Sequence, residues 1–359
     1  MSVDLPGKTI AEIADQIAAA ARLLEQGQLV AFPTETVYGL GADAENPAAI
    51  ARIYQAKGRP SNHPVIVHLA PHADLAYWVS AIPVQAQLLI ERFWPGPLTL
   101  ILPRAAHIPA AVAGGQDSIG VRCPSHPVAQ ALLRAFKNGQ GGIAAPSANK
   151  FGHVSPTTAQ HVRDEFADVF VGPADRASKQ QIIGAILDGG QSEVGIESTI
   201  LDLTRLHSHG PVLLRPGRIT ARDLAEVLGH EPSTPVAHDL QAPRASGTLD
   251  AHYAPRTPLA MVGQSELADC LLQLQQNSHR VALLHWSELP TSITASTLQL
   301  PATPAGYAHA LYAALRTMDA VAADIILVEQ PPHTAAWQAI HDRLRRAAFD
   351  SIGILKRLR

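Results

Sequence analysis

The sequence predicts an α/β protein in which a mixed sheet with helices packed on it is followed by a smaller, Rossmann-like α/β domain. Three observations support this prediction. Short apolar runs alternate with helix-like segments, a proline-rich stretch follows Gly229, and the alternation resumes beyond it. The 359 residues also favour two domains, at roughly 100–200 residues per domain. We place the domains at residues 1–228 and 258–359, with an extended linker over residues 229–257.

Local signals justify the elements of the first domain. Thr9 and Glu12 form a capping-box pattern at the start of a helix for which Gly27 is the C-terminal stop. Asn46 and Pro47 indicate the start of a second helix, which ends at Gly58. The predicted strands are residues 29–32, 65–69, 98–102, 119–121, 143–145, 169–171, 198–203 and 212–214, and further helices are predicted over 84–93, 127–136, 156–166 and 220–228.

The linker prediction rests on proline content, since five of the 28 prolines fall within residues 229–258. Proline disfavours helix in its own position and in the preceding residue, so we expect an extended chain here. Beyond it, strands are predicted at residues 259–262, 281–286 and 324–329, and helices over 265–276, 304–318 and 335–348. This region has no G-x-G-x-x-G turn, so we infer no dinucleotide site in it.

The composition excludes several classes of protein. With 47% hydrophobic and 16% charged residues the chain is not disordered, and no apolar run approaches the roughly 18 residues of a membrane span. The first six residues lack the features of a signal peptide. Cysteine occurs only at Cys123 and Cys270, which suits a reducing compartment, and we therefore expect a cytoplasmic protein.

The charge balance excludes a generic nucleic-acid binder. Lys and Arg total 28 against 31 Asp and Glu, and neither half of the chain has a positive excess. The sequence also lacks G-x-x-x-x-G-K-[ST], H-E-x-x-H and G-x-S-x-G. Any phosphate site must therefore be a local cluster of cations.

Polar residues stand at the ends of several predicted strands and helices. The segments concerned are Pro33 to Gly41, Lys57 to Pro60, Trp94 to Thr99, Arg122, Ala144 to Asn149, Gly195 to Thr199, and Leu214 to Arg218. Ligands of open α/β sheets bind beyond strand ends, so we expect these segments to line one cleft. Each alone has a simpler explanation, because cations at a helix C-terminus complement its dipole and Ser or Asn often caps a turn.

Together these motifs resemble the YrdC-like family. The resemblance rests on P-T-E-T-V-Y-G-L at residues 33–40, the Lys57/Arg59 pair, W-P-G-P-L-T at 94–99 and A-P-S-A-N at 145–149. D-A-H-Y-A-P at residues 250–255 and the segments 311–316 and 342–348 are similar to the linker and second domain of the long, two-domain members. The resemblance covers about residues 10–350 and implies a YrdC-like twisted mixed sheet.

What the resemblance implies is a nucleotidyltransferase. It would make L-threonylcarbamoyladenylate from L-threonine, bicarbonate or CO2 and ATP, releasing pyrophosphate, for the tRNA base N6-threonylcarbamoyladenosine. Mg²⁺ is expected to accompany ATP, although no carboxylate ligand for it stands out. The expected partners are these substrates and the downstream tRNA threonylcarbamoyl transferase proteins. Neither stable direct tRNA binding nor a membrane is required.

The resemblance also assigns site residues. The implied catalytic residues are Lys57, Arg59, Ser147 and Asn149, and the implied ATP-binding residues are Lys57, Arg59, His63, Ser118, Ser147, Ser155, Arg215 and Tyr253. The implied threonine-binding residues are Thr34, Thr36, His68, Arg122, Ala145 and Ser198, with Arg122 as the clamp for the carboxylate. Sequence alone does not separate Thr34 from Thr36.

Two departures and two alternatives remain. His63 stands before Pro64 where some relatives have asparagine, and the linker carries Asp250 where some have an aromatic ring. Since a carboxylate cannot stack on a nucleotide, a linker that covers the ATP site is left open. The alternatives are a carbamoyl transferase like those of hydrogenase maturation and an RNA-binding module. The oligomeric state and the role of the second domain are not predicted.

Overall fold

The computed structural model describes residues 10–167, 183–235, 239, 241–289 and 295–358, with the side chains of residues 10 and 11 left aside. The described residues form two compact units. The first comprises Met1–Phe151, Pro156–Glu193 and Glu197–Thr248, and the second comprises Gly152–Ser155, Val194–Ile196 and Leu249–Arg359, each as far as described. The strand predicted at residues 169–171 and Thr9 of the predicted capping box lie outside the described residues.

The first unit contains a nine-stranded mixed sheet. Its strands are β1 (Leu29–Phe32), β2 (Gly39–Asp43), β3 (Ile66–Leu69), β4 (Leu98–Pro103), β5 (Ser118–Arg122), β6 (Gly142–Ala144), β7 (Ile183–Ile186), β8 (Thr199–Asp202) and β9 (Val212–Arg215). The order across the sheet is β7-β1-β2-β6-β3-β5-β4-β8-β9. β5 runs parallel to β3 and antiparallel to β4, so the C-terminus of β5 and the N-terminus of β4 lie at the same edge.

Helices pack on both faces of this sheet. They are α1 (Ile10–Glu25), α2 (Pro47–Lys57), α3 (Leu75–Trp78), α4 (Val84–Phe93), α5 (Pro127–Ala135), α6 (Ala159–Glu165), α7 (Leu206–His209) and α8 (Ala221–Leu228). Alternate residues of β1 face opposite sides: Val30 and Phe32 pack with α1 and α5, whereas Leu29 and Ala31 belong to the larger core that includes α2, α4 and α8. This two-residue period is what a strand buried on both faces requires.

The second helix is capped as predicted. The Asn46 side chain accepts from the backbone N–H groups of Ala48 and Ala49, and Pro47 occupies the first turn. Gly58 ends the helix in the left-handed conformation, at φ 61°. This C-terminus fixes the direction in which Lys57 and the following residues leave the helix.

Strand β2 was missed by the sequence prediction. Its sequence, Gly-Leu-Gly-Ala-Asp, lacks the β-branched residues that indicate a strand. The structure shows why glycine is needed at Gly41, since a Cβ there would lie 2.8 Å from Phe32 and from Ile143. β7 and the short helices α3 and α7 were also not predicted, and His207 and His209, expected in a polar turn, lie in α7.

The second unit is a four-stranded sheet whose strands are all parallel, in the order β10-β13-β11-β12. Its elements are β10 (Leu259–Val262), α9 (Leu267–Gln276), β11 (Val281–His285), β12 (Ser296–Gln299), α10 (Pro304–Asp319), β13 (Ile325–Glu329), α11 (Gln338–Ala347) and α12 (Ile354–Leu358). The predicted Rossmann-like alternation is confirmed except at β12, whose largely exposed S-T-L-Q gives little apolar signal, and at α12. In the described parts of the chain no helix combines the length and apolarity needed to span a bilayer.

Two short segments from earlier in the sequence belong to this second unit. The Arg316 guanidinium donates to the Val154 carbonyl, and Ala254 N donates to the Gly152 carbonyl at 2.9 Å. Gly195, at φ 78°, packs so tightly that a Cβ would lie 2.4 Å from the Ala308 carbonyl oxygen. Alanine is therefore excluded there by both space and backbone conformation.

Candidate active site

A buried ion pair joins Arg122 to Glu35. Arg122, at the C-terminus of β5, donates from Nη2 to Glu35 Oε1 at 2.6 Å, and their side chains are 4% and 3% exposed. Glu35 Oε2 accepts from the backbone N–H of Ser125, and Arg122 Nε donates to the Gly96 carbonyl at 3.3 Å. A guanidinium so constrained has a fixed orientation at this sheet edge.

The hydroxyls of Thr34 and Thr36 form a chain that ends on Arg122. Thr34 Oγ1 donates to the Val37 carbonyl at 2.6 Å, so its one proton is used. The hydrogen bond of 2.8 Å between Thr34 and Thr36 must therefore carry the Thr36 proton. Thr36 Oγ1 in turn accepts from Arg122 Nη1 at 2.9 Å. Thr34 thus closes a local turn, whereas Thr36 contacts Arg122 and keeps one lone pair.

His68 is a neutral imidazole beside this pair. It lies in β3 directly opposite Arg122 in the parallel register and packs edge-on against Phe32, with ring centroids 6.0 Å apart. Burial, and then the positive charge of Arg122, lower the pKa of His68 to about 3. Near neutral pH it therefore carries no charge to attract an anion.

Ser198 connects a second arginine to the same edge. Arg215, the last residue of β9, donates from Nε to the Ser198 carbonyl at 3.0 Å and from Nη2 to Ser198 Oγ at 3.1 Å. Ser198 Oγ also lies 2.8 Å from Thr99 Oγ1 in β4. Both hydroxyl residues and Arg215 are buried.

Arg215 and Arg59 converge on one residue of the predicted linker, Ser246. Arg215 Nη1 donates to the Ser246 carbonyl at 2.7 Å, and Arg59 Nη2 donates to Ser246 Oγ at 3.3 Å and to the Pro64 carbonyl at 2.9 Å. Neighbouring Arg244 extends this contact, since Nη2 donates to the Gly114 carbonyl at 2.9 Å. The linker segment therefore lies directly on the two cations.

A cleft lies beneath this segment in the first unit. It holds about 270 Å³, open solvent included. Its lining residues are Pro64, Val65, Ile66, Ile101, Gln116, Ser118, Gly120, Ile200, Arg244, Ala245 and Ser246. Ser118 of the predicted ATP set is thus near Ser246, and His63 packs edge-on against the Phe151 ring at 5.5 Å. Most of these lining residues are apolar.

Lys57 joins the K-x-R and S-x-N motifs. Its Nζ donates to the Ser147 carbonyl at 2.6 Å and also to the Asn149 carbonyl. Burial and the charge of Arg59 lower the pKa of Lys57 well below its ordinary value, while Glu165 acts in the opposite direction. Two of the three ammonium hydrogens therefore hold the S-x-N turn.

Ala145, Ser155 and Tyr253 are three further predicted site residues. Ala145 donates its backbone N–H to the Ile66 carbonyl at 2.9 Å, so it lies beside β3 as expected. Ser155 and Tyr253 belong to the second unit. The Tyr253 ring is buried there, stacked on Tyr312 at 5.7 Å and under the Arg343 guanidinium at 5.3 Å.

Sequence reasoning gave no role to Glu35, Thr99 or Ser246. Glu35 and Thr99 lie inside the P-T-E-T and P-L-T stretches, which were predicted to line the cleft. The sequence pattern did not predict which residues these two side chains contact. Ser246 has no pattern of its own, because a serine in a proline-rich stretch is usually only a turn residue. In the described part of the chain no group of three or more His, Cys, Asp or Glu side chains is placed to hold a metal ion.

Comparison with known proteins gives two family-model matches. The model described as "Telomere recombination" matches residues 22–217, and the model described as "Threonylcarbamoyl-AMP synthase, C-terminal domain" matches residues 219–349. The curated threonylcarbamoyl-AMP synthase of Bacillus subtilis is 40% identical over 346 residues, covering 93% of each chain. That of Pyrococcus abyssi is 35% identical over 341 residues, covering 93% of this chain and 94% of its own.

A solved structure agrees with these matches. The crystal structure of the Pyrococcus abyssi protein complexed with L-threonine has a TM-score of 0.82 and 35% identity, and it covers 93% of this chain and 94% of its own. Two family models in tandem, full-length relatives and a matching fold lead to one conclusion: the chain belongs to the YrdC-like threonylcarbamoyl-AMP synthase family, in its long, two-domain form.

Proposed function

We propose that this chain condenses L-threonine, bicarbonate or CO2 and ATP to L-threonylcarbamoyladenylate and pyrophosphate, as the first step of tRNA N6-threonylcarbamoyladenosine formation. The observation that carries the proposal is the edge of the first sheet. There Arg122, at the end of β5, lies across from the start of β4, and β4 pairs with β8, which begins directly after Ser198. Arg215, at the end of β9, donates to the Ser198 carbonyl. We infer a site for a carboxylate at Arg122 and a site for phosphates at Arg215, on strands that β4 and β8 separate in the sheet.

Threonine is the ligand that suits the Arg122 side of the site. A guanidinium has five N–H groups, and the described residues use three of those of Arg122. The remaining two are available for the threonine carboxylate. Thr36 offers a lone pair to an N–H or O–H of the ligand, whereas Thr34 is used in its turn, and this favours Thr36 over Thr34. His68 and Ser198 complete the pocket.

The phosphates of ATP suit the other side. Arg59 and Arg215 already donate to the two oxygens of Ser246, and phosphate oxygens are better acceptors for the same N–H groups. The Ser246 segment therefore moves when ATP binds. Lys57, Ser147 and Asn149 hold the neighbouring turn, and His63, Ser118, Ser155 and Tyr253 remain assigned to ATP by resemblance. Mg²⁺ would bind through the phosphates, and no protein ligand is assigned to it.

The chemistry needs positioning and charge neutralisation more than covalent help. The threonine amine attacks CO2, loses a proton and becomes a carbamate. A carbamate oxygen then attacks the α-phosphorus in line, and the bond to the bridging oxygen breaks, so that pyrophosphate leaves with the electron pair. Arg59 and Arg215 would neutralise the charge that develops on the leaving group.

Pyrophosphate release tests the function. Purified protein is incubated with ATP and Mg²⁺, with and without bicarbonate, and with single L-amino acids. We expect release that requires both bicarbonate and L-threonine, together with a product of the mass of threonylcarbamoyl-AMP. Release that is indifferent to threonine would overturn the proposal, as would RNA binding without turnover.

A further inference from the structure

One buried hydroxyl at the site has no role in the function proposed above. Thr99 Oγ1 lies on β4 behind Ser198, and the residue is fully buried. The hydroxyl oxygen of Thr99 has one hydrogen bond to a described residue, the contact of 2.8 Å with Ser198 Oγ. The oxygen of Ser198 also accepts from Arg215 Nη2 at 3.1 Å.

Counting protons gives the direction of this contact. The Arg215 N–H can only donate, so Ser198 Oγ accepts it. If Ser198 donated to Thr99, the Thr99 proton would be left without an acceptor among the described residues, in a position that no ligand reaches. If Thr99 donates to Ser198, both lone pairs of Ser198 are used and its own proton is left for a ligand oxygen.

We propose that Thr99 is a positioning residue, whose hydroxyl turns the Ser198 proton toward an oxygen of bound L-threonine. The inference rests on the proposed function, because it needs threonine beside Ser198. Without the ligand, the Ser198 proton has no acceptor among the described residues, and a buried donor left unpaired is unfavourable. Binding of an oxygen acceptor at Ser198 removes that deficit, so the pair selects an acceptor at this point.

The opposite polarity holds at Thr36. Its proton goes to Thr34, so toward the ligand Thr36 can only accept. The site therefore presents an acceptor at Thr36 and a donor at Ser198, the second set by Thr99. A ligand that contacts both, such as threonine, must therefore present a donor to Thr36 and an acceptor to Ser198.

The test compares Thr99→Val with Thr99→Ser. Valine keeps the volume and β-branching of threonine but removes the hydroxyl, whereas serine keeps the hydroxyl. We expect Thr99→Val to raise the KM for L-threonine about 5- to 10-fold, as for a lost hydrogen bond, with the KM for ATP within about 2-fold. Thr99→Ser should restore the KM for threonine. Thr199→Val is the matched control, since the buried Thr199 hydroxyl donates to the Ile219 carbonyl at 2.7 Å, whereas the Ser198 hydroxyl is hydrogen-bonded to Thr99 and Arg215.

A double-mutant cycle separates positioning from mere packing. In a Ser198→Ala background, Thr99→Val should have no further effect on the KM for threonine. Additive effects, an unchanged KM in Thr99→Val, or an equal rise in Thr199→Val would each overturn the proposal. A wild-type chain that releases no threonine-dependent pyrophosphate would instead overturn the function, so the two failures are distinguishable.

Discussion

Two groups of residues at the site hold their arginines in different ways. The Arg122 cluster, made of Glu35, Thr36 and Arg122, is closed by a buried carboxylate at 2.6 Å. The Ser246 cluster, made of Arg59, Arg215 and Ser246, brings two guanidinium groups to a neutral serine of the proline-rich segment. The first is fixed by a charge from the protein itself, and in the second the acceptor is a neutral residue that a phosphate replaces in the function we propose.

This difference matches the two kinds of anion that we propose for the site. A carboxylate carries a single negative charge and must above all be held in one orientation. The guanidinium of Arg122, whose charge is neutralised by Glu35, attracts it only weakly, but its N–H groups point in fixed directions. A triphosphate needs several cations, so its arginines must not be locked into strong internal pairs. Substitutions in the two clusters should therefore have different effects, in stability for the first and in ATP use for the second.

The largest effect is expected for Glu35→Gln. Removing one charge from a buried pair leaves the other uncompensated, and we expect a loss of about 3–5 kcal/mol in the free energy of unfolding, measured with urea. Asp117→Asn is the control, because the side chain of Asp117, which pairs with Arg104 at 3.5 Å, is fully exposed, and the loss in free energy of unfolding should be about 0–1 kcal/mol. Equal losses in the two variants would show that the Arg122 cluster is not a tight ion pair.

An intermediate effect is expected for Arg215→Ala. Loss of one charged contact to phosphate should raise the KM for ATP about 10- to 150-fold. Ser246→Ala removes only the hydroxyl that accepts from Arg59, so the KM for ATP should stay within about 3-fold of wild type or fall. Similar increases in both variants would contradict the idea that ATP replaces Ser246 on these arginines.

The smallest effect concerns pH. His68 has a pKa of about 3 in the folded chain and about 6.5 when unfolded, so the unfolded state binds the extra proton between these values. Stability contributed by the neutral imidazole is thus complete above pH 6.5 and falls as the pH falls toward 3. Between pH 7.5 and 6 we expect wild type to lose about 1 kcal/mol more than His68→Gln, by urea unfolding. Parallel pH profiles would refute this.

Much of the fold follows from local signals in the sequence. The caps of α2 and the apolar runs of β1, β3 and β11 needed no tertiary information, because propensity, capping and periodicity agree there. β2 needed tertiary information, since its Gly41 is explained only by the closeness of Phe32 and Ile143 across the sheet. The strand assignment at Gly41 depends on neighbours that are distant in sequence.

The candidate site divides in the same way. The motifs marked Arg122, Arg215 and Lys57, but not that Glu35 would neutralise Arg122 across 87 positions of sequence. Thr34 and Thr36 are equivalent as a pattern, and the turn that takes up the Thr34 proton is what separates them. Partner identity and proton direction are properties of three-dimensional contacts, so sequence patterns do not contain them.

The second unit includes two short stretches of chain that come from within the sequence of the first unit. Because Gly152–Ser155 and Val194–Ile196 are grouped with Leu249–Arg359, no single cut in the chain separates the two units. A fragment that ended at Thr248 would keep Val154 and Gly195 but lose Arg316 and the α10 backbone against which they pack. The second unit is therefore assembled from three separate stretches of chain rather than set off by one linker, and a split protein would need both pieces present to rebuild it.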